Sequence, residues 1–256
     1  MSASTEVSAT ERLVCAAARL MKGRSSVFIG TGIPMLAAAL AKRLYAPQLL
    51  PIFEFGGVGA DLKRLPLGVG ESRTFEGAYT AQGITEVMES AQRGLVKDGF
   101  LGGAQIDPYG NLNTTVIGDH DRPKVRLPGS GGGNDVGAFC WRTIVLMKHE
   151  KKRFVPKVDF VTTPGYPGGP GGRERVGLPE ETGPYRVVTN LGLFDFPPQT
   201  RRMRLIALFP GGTVEAVRAE TGFPLDTAAE LDTVAPPSDE ELRLLRDVID
   251  PERNYL

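Results

Sequence analysis

Leu49-Leu50-Pro51-Ile52-Phe53-Glu54-Phe55-Gly56-Gly57-Val58-Gly59 is an apolar run of strand length that ends on one carboxylate and passes directly into glycines. Nothing ahead of Glu54 in the run is charged, so the acid falls where a buried strand gives way to a loop. In open α/β sheets, ligands bind outside the carboxyl ends of the strands. A glutamate there is a ligand anchor, a base, a nucleophile, or half of a structural ion pair with Lys63 or Arg64. Gly56, Gly57 and Gly59 would leave the carboxylate accessible. A partly desolvated carboxylate has a raised pKa and, once ionised, is a stronger nucleophile.

The residues before this stretch supply its partner elements. Leu13, Ala16, Ala17 and Leu20 share one face of a helix over Ser8–Met21, which Lys22-Gly23-Arg24 stops. Ser26–Gly30 reads as a short buried strand. A helix follows, with Pro34 at its first position and no breaker from Met35 to Tyr45, and Pro47 ends the crossover. Strand, helix and the Glu54 strand form a β-α-β unit, which is right-handed with parallel strands in nearly every case. Gly30-Thr31-Gly32 with an acid about twenty residues on imitates a dinucleotide-binding fingerprint. The imitation fails at Met35, where a very small residue is required, and at Pro34, which lacks an N–H.

Beyond the stretch, a helix over Gly83–Leu95 places Ile84, Val87, Met88, Ala91 and Leu95 on one face. Gly99–Gln105, Thr143–Met147, Val158–Thr162, Arg186–Thr189 and Leu205–Phe209 are strand-like. Thr213–Thr221 and Asp239–Ile249 are amphipathic, and Ser238 with Glu241 is a capping box for the last helix. No repeat or linker divides the chain. The expectation is one α/β domain over residues 1–256, a single open, mainly parallel sheet with helices on both faces.

Lys+Arg and Asp+Glu number 30 each in 256 residues, which gives neither nucleic acid nor a membrane surface a basic field to bind. Two distant cysteines, Cys15 and Cys140, no basic-then-apolar start over Met1–Glu6, and no apolar run of membrane length give the expectation of a reduced, cytoplasmic protein. His120 and His149 have no metal-ligand spacing with each other or with either cysteine. Two further glycine clusters stand out. Gly129-Ser130-Gly131-Gly132-Gly133-Asn134-Asp135 can align backbone N–H groups for an anion or a developing oxyanion. Pro164–Arg175 carries charges on a Pro/Gly frame, as a lid or a subunit contact would.

Taken together, Gly30–Pro34, Tyr45-Ala46-Pro47, Glu54 with Gly56, Gly102–Asn113, Gly129–Gly132, His149–Phe154 and Gly168–Arg175 resemble the β subunits of class I coenzyme A-transferases, nearest the glutaconate type. The resemblance runs from the first helix to Ile249-Asp250-Pro251 and implies the fold of that family. It also implies a role for each site residue. Glu54 would be the nucleophile, attacking an acyl-CoA thioester and becoming a glutamyl-CoA thioester. Phe55, Gly56 and Gln105 would line the CoA and acyl pocket, and Gly131 and Gly132 would form the oxyanion loop. No metal and no permanently bound cofactor are implied, coenzyme A being a substrate. The implied partner is a separate α subunit, in an α2β2 or larger hetero-oligomer. Phe55 stands where the family has a small or polar residue, which implies a bulkier or less polar acyl group than glutaconate. Relatives on this fold that act as CoA-ester hydrolases or decarboxylases, or a non-catalytic ligand-binding subunit, are the alternatives.

Overall fold

A computed structural model describes residues 6–256; residues 1–5, most of the stretch bearing on a leader, lie outside it. The chain forms two compact units, one of residues up to Val87 together with Ala235–Leu256, the other Met88–Val234. In the first, Ser8 caps α1 (Ala9–Arg19): its hydroxyl accepts from the Glu11 N–H at 3.0 Å, and the Glu11 carboxylate accepts from the Ser8 N–H at 2.8 Å. Gly23, at φ 72°, ends the turn after the helix. The buried strand β1 (Ser26–Ile29) leads through α2 (Ile33–Leu44) to β2 (Leu50–Phe53), parallel to β1 with Ile29 beside Phe53. This is the expected β-α-β unit. Two short antiparallel strands extend it, β3 (Gly57–Val58) and β4 (Thr80–Ala81).

Capping also ties the two ends of the chain together within this unit. The C-terminal helix Asp239–Arg243 has the expected Ser238/Glu241 capping box, then continues as a π-helix over Leu244–Ile249. Both capping glutamates reach a second partner. Glu241, fully buried, pairs with Arg19 and accepts from Tyr45 Oη at 2.6 Å; Glu11 pairs with Arg246. Burial pushes both carboxyls up, but the arginine and backbone hydrogen bonds outweigh it and hold both below the usual range.

The helix α3 (Ile84–Gln92) leads onward. The second unit then runs β5 (Asp98–Leu101), the hairpin β6 (Gln105–Ile106)–β7 (Leu112–Asn113), the hairpin β8 (Val116–Gly118)–β9 (Pro123–Arg126), α4 (Gly133–Phe139) and β10 (Arg142–Leu146). It closes with α5 (Gly172–Arg175), β11 (Pro184–Val188), β12 (Gly192–Asp195), β13 (Arg204–Leu208), α6 (Val214–Ala219) and β14 (Asp226–Thr233). Strands β5, β10 and β11 are parallel neighbours; β12 runs antiparallel to both β11 and β13, and β14 is parallel to β13. The mainly parallel α/β class is as expected, and in this unit β12 alone runs against the other strands of the sheet. Val158–Thr162 is not a strand. Phe160 and Val161 point to solvent, at 37% and 49% exposure, while the Asp159 and Thr162 N–H groups are taken by Gln105 Oε1 and the Leu112 carbonyl. Ile84 and Leu95, expected on the buried face of the Gly83–Leu95 helix, are 44% and 59% exposed.

Two buried polar residues organise the second unit. His149 stacks on Phe154 with centroids 3.7 Å apart, and its Nε2 lies 3.0 Å from Thr221 Oγ1. Burial pushes its pKa down to about 4. Arg173 is 1% exposed and forms no ion pair among the described residues. Its guanidinium donates to Thr182 Oγ1 at 2.8 and 3.0 Å and to the carbonyls of Pro164, Gly165, Gly137 and Ala138 at 3.0–3.3 Å. Gly137 and Ala138 lie in the last turn of α4, where carbonyls point outward unpaired and favour a cation. The Pro/Gly stretch 164–175 is thus fastened from inside. Gly165 and Gly172 press on backbone, where an added Cβ would sit 2.3 Å from the Tyr109 carbonyl and 2.0 Å from that of Pro167. Such fastening does not suit the mobile lid that its composition allows.

Two consequences are measurable. Replacing Arg173 with Met leaves several buried acceptors unpaired and should destabilise the protein by about 3–5 kcal/mol. Arg173→Lys should recover only part of this, since one ammonium cannot serve acceptors on several sides. Urea denaturation of both variants reads this out, and near-wild-type stability of Arg173→Met would refute the role. For His149, the folded pKa lies below the unfolded value of 6.5, so stability is full above pH 6.5 and declines as pH falls toward 4. The decline amounts to about 3 kcal/mol by linkage. The stability gap between wild type and His149→Gln should therefore narrow by that amount between pH 7 and 4; a gap independent of pH would contradict a neutral buried imidazole.

Candidate active site

Strand β2 stops at Phe53, which is fully buried, and the chain turns at once: the Gly56 N–H donates to the Phe53 carbonyl at 2.9 Å. Glu54 and Phe55 are the two central residues of this turn. Glu54 is half-buried, at the carboxyl end of a strand parallel to β1. Its carboxylate has no hydrogen-bond or ion-pair partner among the described residues, and neither Lys63 nor Arg64 reaches it. The structural ion pair is therefore absent, and what remains is a carboxylate free to meet a ligand.

The glycines after it have a different purpose from the one their composition implies. Gly56, at φ 111°, receives the Gln82 N–H on its carbonyl, and a Cβ at 56 would lie 1.8 Å from the Gln82 carbonyl oxygen. A Cβ at Gly57 would lie 2.0 Å from the Thr74 carbonyl oxygen, and at Gly59 2.2 Å from the Tyr79 ring. These glycines admit neighbouring protein rather than a ligand. What exposes Glu54 is the turn itself. Phe55 is 39% exposed, its ring alongside Gly70, so it does not enter the core.

The glycine turn after β1 is closed from the chain's end. Asp250, 1% exposed, accepts the N–H groups of Asn254, Tyr255 and Leu256 at 2.8–3.0 Å. This holds Tyr255 with its hydroxyl on the Pro66 carbonyl at 2.8 Å and its ring 3.9 Å from a Cβ built at Gly32. The sequence motif flagged Ile249-Asp250-Pro251 but not Tyr255; three consecutive residues capped by one acid leave no periodic signal. Met35 is fully buried, and the cavity beside Ile29, Met35 and Phe53 is only about 20 Å³, so no dinucleotide fits there.

The remaining residues singled out from the sequence lie in the second unit. Gln105 is buried, and its amide is largely committed. The oxygen accepts from Asn113 Nδ2 at 2.7 Å and the Asp159 N–H at 3.0 Å, and the nitrogen donates to Asp159 Oδ2 at 3.0 Å. It serves as scaffold for the β6–β7 hairpin. Thr114, the residue after β7, exchanges hydrogen bonds with Gly129: its carbonyl accepts the Gly129 N–H, and its hydroxyl donates to the Gly129 carbonyl at 2.8 Å. The loop is thereby anchored at Gly129, and at its other end by the Gly133 N–H on the Ser130 carbonyl. Between these anchors Gly131, at φ 48°, is exposed and Gly132 is buried. Their amides donate to no acceptor among the described residues. Two adjacent unspent N–H groups on an anchored loop are what an anion requires.

The coenzyme A transferase family model matches residues 10–220. The β subunit of glutaconate CoA-transferase from Acidaminococcus fermentans is 40% identical, over 93% of this chain and 91% of the relative. The crystal structure of that organism's glutaconate coenzyme A-transferase superposes with a TM-score of 0.93 at 38% identity, over 98% of each chain. The β subunit of 3-oxoadipate CoA-transferase from Pseudomonas knackmussii is 36% identical over 93% and 92% of the two chains. The cholesterol ring-cleaving hydrolase IpdB subunit of Rhodococcus jostii is 30% identical over 96% and 94%. With the family model matched over residues 10–220 and these transferase subunits 36–40% identical over most of its length, the chain belongs to the coenzyme A transferase family.

Proposed function

We propose that this protein transfers coenzyme A from an acyl-CoA to a second carboxylic acid, with Glu54 carrying CoA as an enzyme thioester between the two half-reactions. The observation that carries the reading is the half-buried, unpartnered Glu54 carboxylate at the carboxyl end of β2. The carboxylate attacks the thioester carbonyl, forming a mixed anhydride and releasing CoA thiolate. The thiolate then attacks the glutamyl carbonyl, giving the glutamyl-CoA thioester and expelling the first acid as its carboxylate. A second carboxylate attacks that thioester, thiolate leaves, and its return to the new acyl group frees Glu54. Each half-reaction, taken as a whole, exchanges one carboxylate for another on the CoA sulfur, so the overall change is nearly isoenergetic. Catalysis then rests on positioning and on stabilising the tetrahedral oxyanion. The unspent Gly131 and Gly132 amides suit the oxyanion-loop role that the resemblance implies for them. Gln105 keeps the hairpin beside their loop in shape. Coenzyme A enters as a substrate, and no step calls for a resident cofactor.

The chain works with an α subunit in a hetero-oligomer; its CoA-transferase relatives are themselves named as single subunits of their enzymes, which supports this reading. Relatives also include a ring-cleaving hydrolase subunit, in whose likeness Glu54 would act as a base. Phe55 bears on the acyl group. Its ring is outside the core, next to the nucleophile, and adds apolar surface where a small polar acid would need a polar neighbour. Burying part of a phenyl ring at about 25 cal/mol per Å² contributes about 1–2 kcal/mol of preference.

Two measurements on the assembled enzyme follow. After incubation with an acyl-CoA donor, borohydride should reduce residue 54 in the wild type and leave Glu54→Gln untouched, while Glu54→Gln loses several orders of magnitude in transfer rate. An acyl-CoA hydrolysed without any trapped thioester would favour the base reading instead. For Phe55→Ser, the ratio of kcat/KM for a branched or aromatic acyl-CoA to that for a short dicarboxylic one should fall about tenfold. An unchanged ratio would remove Phe55 from the specificity argument.

A further inference from the structure

At the amino ends of β10 and β11, the end of these strands away from their carboxyl termini, lies an open groove of about 450 Å³. That volume is in the range of small-molecule sites. Four arginines line it, and they fall into two kinds. Arg142 and Arg204 are neutralised by two-pronged pairs, Arg142 with Asp98 at 2.8 and 3.2 Å and Arg204 with Asp195 at 3.0 and 2.7 Å. Arg186 and Arg201 have no carboxylate among the described residues. Arg186 donates to the Tyr185 carbonyl at 2.8 Å, and its guanidinium carbon stands 4.0 Å from the centroid of the Tyr185 ring. Arg201 lies 4.6 Å over the buried Tyr166 ring, with its Nη1 3.4 Å from that hydroxyl. A guanidinium held over an aromatic face, with one nitrogen donating to protein, still has further N–H groups for an oxyanion. The one acid lining the groove besides Asp195 is Glu181, which leaves positive charge in excess.

The backbone adds an independent sign. Arg201 has φ 51°, a left-handed conformation that glycine or asparagine would adopt with less strain. Strain of this kind persists where the surroundings over-determine it, as at ligand clamps. Trp141 and Phe196 supply apolar wall.

We propose that this groove binds a small, doubly charged oxyanion, a phosphate ester or a dicarboxylate, held between Arg186 and Arg201, in a site whose lining does not include Glu54. Nothing in the proposal depends on Glu54 being a nucleophile.

The chain's single tryptophan is Trp141, so its fluorescence reports on the groove directly. The full-length protein is titrated with adenosine monophosphate, inorganic phosphate and succinate, with potassium chloride of matched ionic strength as control. A saturable change in emission with a Kd below about 1 mM is expected for at least one of the three dianions and not for chloride. Which of the three binds separates the phosphate from the dicarboxylate source. Arg186→Gln and Arg201→Gln should each weaken binding at least about tenfold, by loss of a charge-assisted fork. Glu54→Gln should bind as wild type does. If Arg201→Gln folds poorly, Arg201→Asn relieves the backbone strain and tests the same charge, and Arg186→Lys keeps the charge without the stacked fork. Failure of all three dianions to give a saturable change overturns the proposal. So do folded arginine variants that bind as wild type, or dianion binding lost in Glu54→Gln. Arginine variants that alter the oligomeric state without affecting any dianion would assign the groove to a subunit contact, and that too overturns it.

Discussion

The site depends on a side chain that is not there. At Gly56 the chain reverses within hydrogen-bonding distance of Phe53 and lays its carbonyl against the Gln82 N–H, leaving no room for a Cβ. Any other residue would drive β3 away from the segment it packs on. With β3 displaced, the turn that presents Glu54 and Phe55 would have no fixed geometry. An unpartnered carboxylate is useful to chemistry only when its backbone is held, because an effective molarity is lost when the reacting atoms drift by an ångström. Gly57 and Gly59 reinforce the constraint by admitting the Thr74 carbonyl and the Tyr79 ring.

Each unit is fastened by buried polar groups rather than by apolar packing alone. In one, the glutamates that cap the first and last helices each reach an arginine on the other, Glu11 to Arg246 and Glu241 to Arg19. Both carboxylate oxygens of each acid thereby accept hydrogen bonds, so burial of these acids is compensated. In the other, Arg173 is a buried cation with no ion-pair partner among the described residues. Helix-end carbonyls, two loop carbonyls and a threonine hydroxyl divide its charge, and desolvation pushes its pKa down to about 10, still well above neutrality. It holds the Pro/Gly stretch against α4, the helix that follows the Gly131–Gly132 loop.

The four lining arginines of the second-unit groove show how charge pairing sorts residues that composition cannot separate. Arg142 and Arg204 are structural because an aspartate faces each in a fork, whereas Arg186 and Arg201 rest on tyrosine rings. A chain with net charge zero can still hold a local excess of positive charge at one end of a sheet.

The sequence by itself determined the β-α-β unit, the Ser238/Glu241 capping box, the strand-end position of Glu54 and, through ordered motifs along most of the chain, the family. These rest on local rules, namely periodicity, capping and turn chemistry, which act over a few residues and are written in them. The resemblance pointed to Gly131 and Gly132, but not to their unspent amides, and it gave no sign that Gln105 is committed to its own hairpin. Tertiary structure alone decided that Glu54 lacks a cationic partner, although Lys63 and Arg64 stand nearby in sequence. It alone decided that the glycines after Glu54 admit backbone rather than ligand, that Val158–Thr162 is no strand, and which arginines are paired. Each of these depends on atoms brought together across tens of residues, and a partner's position in space has no signature at either end of the contact.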